Sequence, residues 1–66
     1  MLPIRFEYFD KELEELIYVS ILTQFKHHFT GETVYKIRQE GKSGFVFDTY
    51  ISEDKLMELV EQRIQK

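Results

Sequence analysis

The apolar positions of this 66-residue chain repeat with two different periods. Residues 3–9, 33–39 and 45–51 alternate between apolar and polar side chains, and this alternation predicts three β-strands. Residues 10–31 and 52–65 repeat their apolar side chains every three or four positions, and this spacing predicts two amphipathic helices. The predicted order of elements is therefore strand, helix, strand, strand, helix.

The segment Asp10–Gly31 is the largest supply of apolar side chains, and its ends favour a helix. Asp10 can cap the first turn, and the acids that follow it suit the positive end of a helix dipole. Lys26 and the two histidines after it suit the negative end, and Gly31 is a common helix stop. The buried stripe of this helix would contain Leu13, Ile17, Ile21 and Phe25.

A strand is the alternative for the same segment. From Ile17 onward the apolar residues also alternate with polar ones, and β-branched and aromatic residues are frequent. Both interpretations stay open for residues 16–29. We expect the helix, because the caps, the charges at the two ends and the length all agree with it.

The turn between residues 33–39 and 45–51 sets a register. A three-residue loop, 42–44, places Gly44 where a positive φ is wanted. The same loop places Arg38 opposite Asp48 and Lys36 opposite Tyr50, and it keeps the apolar residues of both strands on one face.

The last helix begins at its cap, Ser52, and turns Leu56, Leu59, Val60 and Ile64 toward the core. Its other side carries Asp54, Glu58 and Glu61, which we name the acidic ridge. These residues form a candidate docking surface for a basic partner. Together the elements predict one domain, residues 1–66, of the α+β class. We expect a two-layer sandwich of order β-α-β-β-α, whose small sheet has one helix-covered face.

Composition limits the compartment and the chemistry. The chain has 42% hydrophobic residues, six Phe, four Tyr and no Cys, so it can form a core but neither disulfides nor thiolate metal sites. No signal peptide and no stretch of about 20 apolar residues is present. We therefore expect a cytoplasmic protein without a membrane partner.

No catalytic motif is recognisable, and we expect no enzyme activity, no cofactor and no metal. The two histidines, His27 and His28, are adjacent, so on a helix they diverge by about 100° and make poor joint ligands. Residues of the loop Gly41–Gly44 (GKSG) lack the spacing of a phosphate loop.

Two further surfaces follow from the predicted elements. On a helix spanning residues 10–29, Leu16 and Val19 fall outside the main stripe and, with Thr23 beside them, form a strip that suits a homodimer seam. The open sheet face carries bases beside an aromatic ring and could hold nucleic acid through Lys36, Arg38, Lys42 and Tyr50. The net charge of −3 disfavours this second use.

The predicted element order, the last helix opening with Glu53-Asp54-Lys55 and the strand Val34–Arg38 (VYKIR) resemble the small DinI-like modulators of the RecA filament. That resemblance implies binding of the filament through the acidic last helix. The favoured interpretation is a small non-enzymatic protein-protein interaction module that acts as a regulator, adaptor or inhibitor of another protein. Chains of this size without active-site signals are often carried by phages or mobile elements.

Overall fold

The computed structural model describes residues 3–64, which form a four-stranded antiparallel sheet followed by one helix. The elements are β1 (Arg5–Asp10), β2 (Glu15–Lys26), β3 (Thr33–Gly41), β4 (Val46–Ser52) and α1 (Glu53–Glu61). The strands lie in chain order, so each is hydrogen-bonded to its sequence neighbour. The protein is α+β, as predicted, but the predicted order β-α-β-β-α is wrong, because the second element is a strand.

The segment expected to be a long helix is the hairpin partner of β1. The carboxylate of Asp10 does accept hydrogen bonds from backbone amides, at 2.9 Å from Glu12 N–H and 3.0 Å from Leu13 N–H. These bonds close a tight turn in which Glu14 has a φ of 55°. A residue suited to capping a helix therefore stabilises a β-turn instead, and β2 pairs with β1 and β3 on its two sides.

A β-bulge divides β2 into two parts. Ile21 lies opposite Ile37, whereas Thr23 lies opposite Lys36, so Leu22 is an extra residue with no partner on β3. Before the bulge, odd-numbered residues point to the side of the sheet that carries α1. After the bulge, odd-numbered residues point to the other side.

The β3–β4 hairpin has the predicted register. Arg38 pairs with Asp48 and Lys36 pairs with Tyr50. Gly44 has a φ of 111°, which suits glycine in the three-residue loop. Gly41 is required for another reason, because the ring of Phe45 and the carboxylate of Glu15 occupy the space that a Cβ at Gly41 would need.

The core lies between the sheet and α1, on the side that we name the covered face. It contains Tyr8, Ile17, Val19, Tyr35 and Ile37 from the strands and Leu56 and Val60 from the helix. The hydroxyl of Ser52 accepts a hydrogen bond from Lys55 N–H at 3.2 Å and caps α1, as predicted. The helix ends at Glu61, before the predicted end at Gln65, a residue that lies outside the described range.

Residues beyond the helix return to the sheet. Arg63 pairs with Tyr8 as an isolated bridge, and Ile64 N–H donates to the carbonyl oxygen of Glu7 at 2.8 Å. The helix α1 thus crosses the covered face from β4 to β1, and residues 63–64 after it contact the outer edge of β1.

Candidate functional site

The side of the sheet opposite α1 has no covering element within residues 3–64, and we name it the open face. Strand alternation and the observed register assign it a mixed set of side chains, none of which is buried. The set comprises Arg5, Glu7, Phe9, Leu16, Tyr18, Ser20, Thr23, Phe25, Val34, Lys36, Arg38, Glu40, Val46, Asp48 and Tyr50.

Four aromatic side chains on the open face are exposed, and two of them touch. Phe9, Tyr18, Phe25 and Tyr50 are 48%, 47%, 45% and 60% exposed. The bulge at Leu22 places Phe25 on this face, where its ring meets that of Tyr50 edge-on with centroids 5.9 Å apart and planes at 75°. Phe25 and Tyr50 therefore form a contiguous aromatic patch, whereas Tyr18 lies opposite Glu40, farther along the same face.

A lysine adjoins this aromatic pair. Lys36 lies opposite both Thr23 and Tyr50 in the sheet, and its Nζ is 5.9 Å from the centroid of the Tyr50 ring. This distance is near the outer limit of a cation–π interaction. The patch therefore offers a partner aromatic surface with a positive charge at its border.

The bidentate ion pair between Arg38 and Asp48 is next to the patch. Arg38 Nε lies 2.9 Å from Asp48 Oδ1, and Arg38 Nη2 lies 3.2 Å from Asp48 Oδ2. The hydrogen bond from Arg38 holds the pKa of the Asp48 carboxyl below its ordinary value of 3.8, partial desolvation opposes this effect, and the charges of Arg38 and Lys36 add to it. Arg38 is thus already engaged with an acid on its own face.

The charges of the open face balance. It carries Arg5, Lys36 and Arg38 against Glu7, Glu40 and Asp48. Of the four residues expected to hold nucleic acid, Lys36, Arg38 and Tyr50 do lie together on this face. Lys42 lies in the β3–β4 turn, and its backbone N–H donates to the carbonyl oxygen of Leu16 at 3.2 Å.

The acidic ridge lies on the surface of α1. Asp54, Glu58 and Glu61 are all exposed. Glu58 forms an ion pair with Lys55, at 3.5 Å between Oε2 and Nζ, and both side chains are well exposed. The ridge is accessible to a partner, and one of its three acids has an intramolecular basic neighbour.

The expected dimer seam is not one surface in the structure. Val19 is 1% exposed and belongs to the core, whereas Leu16 and Thr23 lie on the open face. The predicted seam required a helix, in which residues three or four positions apart lie on the same side. In a strand, residues three apart point to opposite faces, so these three residues cannot form the predicted seam.

The histidines lie in the β2–β3 connection. His27 Nδ1 accepts a hydrogen bond from Phe29 N–H at 3.3 Å, and the rings of His27 and Phe29 are 6.0 Å apart. Among residues 3–64, no group of three or more His, Cys, Asp or Glu side chains is placed to hold a metal ion.

Tyr18 and Phe25 lie on the open face but were not predicted to be there. The signal for Tyr18 was present, since it alternates with the apolar residues Ile17 and Val19. Phe25 could not be placed by alternation, because the bulge reverses the side on which it points.

The chain matches no known protein-family model, and neither curated proteins nor solved structures give a match. The resemblance to DinI-like modulators rested on an element order that the structure does not have, so it loses its main support. Within residues 3–64, no helix is both long enough and apolar enough to span a bilayer.

Proposed function

We propose that the protein is a small non-enzymatic binding module that regulates, adapts or inhibits a second protein and contacts it through the open face. The observation that carries this proposal is the contact between the exposed rings of Phe25 and Tyr50, on a sheet face that also exposes Tyr18 and whose charges balance.

The composition of the open face fits a protein partner. Tyrosine, phenylalanine and arginine are enriched in the cores of protein-protein interfaces, and tyrosine and arginine dominate their binding energies. Tyr18, Tyr50 and Arg38 are all on the open face and exposed. A rigid sheet also presents these side chains with little loss of backbone entropy on binding, because the strands are fixed before the partner arrives.

The acidic ridge offers the same module a second docking surface, for a basic partner. Its three acids are exposed, and it lies on the helix, away from the open face. Charge complementarity on such a surface raises association rates more than it raises affinity. The two surfaces therefore make different contributions, and charge-reversal variants can separate them.

The proposal is tested by affinity capture from the native host with matched variants, each first shown to be folded. The open-face variant is Tyr18→Ser with Tyr50→Ser. The ridge variant is Asp54→Lys, Glu58→Lys and Glu61→Lys. The control is Met57→Ala, which removes an apolar side chain that is 42% exposed on α1.

We expect a specific partner with the wild type and the control, and its loss from the open-face variant. If only the ridge variant loses the partner, docking takes place on α1 instead. If the wild type and a folded open-face variant capture the same proteins, the proposal is wrong.

Nucleic-acid binding is the second candidate, favoured by one observation. Lys36 Nζ lies near the exposed ring of Tyr50, and Phe25 extends the ring surface, so a base could stack there beside a positive charge. The balanced charge of the face argues against it, because each phosphate contact needs a cation that is not already neutralised.

A gel-shift assay at low salt with single-stranded DNA, duplex DNA and RNA tests this candidate. Lys36→Glu, Arg38→Glu and Lys42→Glu together should abolish any shift. The control is Lys11→Glu, Lys26→Glu and Lys55→Glu, which changes the net charge equally at other exposed lysines. Equal losses in both triple variants would show a general charge effect rather than a site.

A further inference from the structure

The two edge strands of the sheet, β1 and β4, differ in how far the chain itself covers them. The outer edge of β1 is covered in part by the chain itself, through the Ile64–Glu7 hydrogen bond and the Arg63–Tyr8 bridge. β4 is the opposite edge, and within residues 3–64 no strand lies beyond it. One edge of the sheet is therefore available for another strand.

The register shows which backbone groups of β4 face outward. Gly41 N–H donates to the carbonyl oxygen of Phe45 at 2.9 Å, so these two residues form a hydrogen-bonded pair. In an antiparallel ladder such pairs alternate with non-bonded pairs, so Phe47, Thr49 and Ile51 also bond to β3. The N–H and C=O groups of the intervening residues point away from the sheet.

β4 lacks the features that usually protect an edge strand. Its sequence, VFDTYIS, contains no proline and no lysine, and its ladder with β3 has no bulge. Its one charged side chain, Asp48, is held by Arg38 on the open face. Nothing in the strand itself opposes pairing with a further strand.

We infer that β4 pairs antiparallel with β4 of a second copy of this chain, about a two-fold axis through Thr49, and that the two sheets become one. This register pairs all seven residues of the strand. Val46 lies opposite Ser52 of the second copy, Phe47 opposite Ile51, Asp48 opposite Tyr50, and Thr49 opposite Thr49.

The chemistry of these pairs selects this register among the symmetric ones. A shift by one step in one direction sets Asp48 opposite Asp48, which is a destabilising like-charge pair. A shift in the other direction sets Phe47 opposite Glu53. In the inferred register Phe47, which is 48% exposed in the single chain, packs against Ile51, and the threonines at the axis form a favourable pair.

The inference is independent of the partner captured by the open face, and cysteine cross-linking tests it directly. The chain contains no cysteine, so one introduced cysteine can form only an intermolecular disulfide. At the axis, Thr49 forms a non-bonded pair with a Cα–Cα distance of about 4.5 Å, within the range for a disulfide. Thr49→Cys should cross-link completely under mild oxidation, whereas Ser43→Cys, exposed in the β3–β4 turn, should not.

Light scattering over a concentration series accompanies the cross-linking. We expect the wild type to reach twice the 8.0 kDa mass of the chain. Tyr50→Asp places an acid opposite Asp48 of the second copy and should give a monomer, whereas the matched control Tyr18→Asp, an exposed open-face tyrosine on β2, should leave the dimer. A monomer at every concentration, or a dimer in which Thr49→Cys cross-links no faster than Ser43→Cys, overturns the inference. Either result leaves the partner-capture test unaffected.

Discussion

The ring of Phe25 meets the ring of Tyr50 across an intervening strand, at a centroid distance of 5.9 Å and an angle of 75°. Phe25 is on β2 and Tyr50 is on β4, and both project from the open face. This contact depends on the bulge at Leu22, because uninterrupted alternation from Ile21 would place Phe25 on the covered face.

Deletion of Leu22 should keep the Phe25–Tyr50 contact. Leu22 is the extra residue, so its removal joins two correctly paired halves of β2 and leaves Phe25 opposite Val34. Nuclear Overhauser effects between the two rings should persist in the deletion variant. Deletion of both Leu22 and Thr23 should abolish them, because it leaves β2 one residue short and places Phe25 opposite Tyr35, on the covered face. Loss of the effects in both variants would contradict the bulge assignment.

The pKa of Asp48 should rise toward its ordinary value of 3.8 when Arg38 is replaced by Gln, because the hydrogen bond from Arg38 is the largest cause of its lowering. Since the folded-state pKa is the lower one, the pair contributes stability above pH about 4, and this contribution is lost as pH falls through the folded pKa. NMR titration of the Asp48 carboxyl carbon measures the shift directly. An unchanged Asp48 pKa in Arg38→Gln would show that the ion pair is absent in solution.

Gly41→Ala should destabilise the protein by about 1–3 kcal/mol, as overpacking does in a well-filled site. The Cβ would overlap the ring of Phe45, which packs against the core, and the carboxylate of Glu15. Urea unfolding measures the loss. In a Phe45→Ala background the same substitution should cost much less, because the ring is gone. An equal loss of unfolding free energy in the two backgrounds would show that the Cβ does not clash with the Phe45 ring.

The β3–β4 hairpin was predictable because its determinants are local. Gly44 fixed the loop length, and the loop length fixed every pair from Arg38–Asp48 to Lys36–Tyr50. The cap Ser52 and the buried residues Leu56 and Val60 were predictable for the same reason, since a capped amphipathic helix is defined within about ten residues of sequence.

The strand β2 was not predictable with the same certainty, because its signals have two meanings. Asp10 can cap a helix or close a turn, and the choice depends on whether β1 and β3 are available as hydrogen-bonding partners. The bulge at Leu22 also interrupts the strand period, so the outer half of β2 loses its alternation. The predicted seam at Leu16, Val19 and Thr23 was wrong for the same reason, because it required a helix in place of β2. The prediction that Lys36, Arg38 and Tyr50 share an open face is confirmed, because it depended only on the β3–β4 hairpin.

The phenol of Tyr8 should ionise above its ordinary pKa of 10.0. Burial of the side chain in the core is the main cause, the charge of Asp10 adds to it, and the hydrogen bond donated by Gln39 Nε2 at 3.3 Å opposes it. Because the raised pKa favours the protonated folded state, stability is fully present below pH 10 and falls as pH rises through the folded pKa. The ultraviolet absorbance titration of Tyr8→Phe should lack a component that the wild type shows above pH 10; an unchanged curve there would contradict the burial of this hydroxyl.

Leu56→Ala should destabilise the protein by about 2–5 kcal/mol, the usual range for deletion of a fully buried leucine side chain. Leu56 is fully buried and is one of two helix residues in the core, so its loss leaves a cavity between α1 and the sheet. A domain this small has a total stability of only a few kcal/mol, so the variant should be largely unfolded at 37 °C by circular dichroism. Met57→Ala, one position along the same helix and exposed, is the matched control and should change stability by less than about 0.5 kcal/mol. If the two variants unfolded at the same urea concentration, α1 would not pack on the sheet in this orientation.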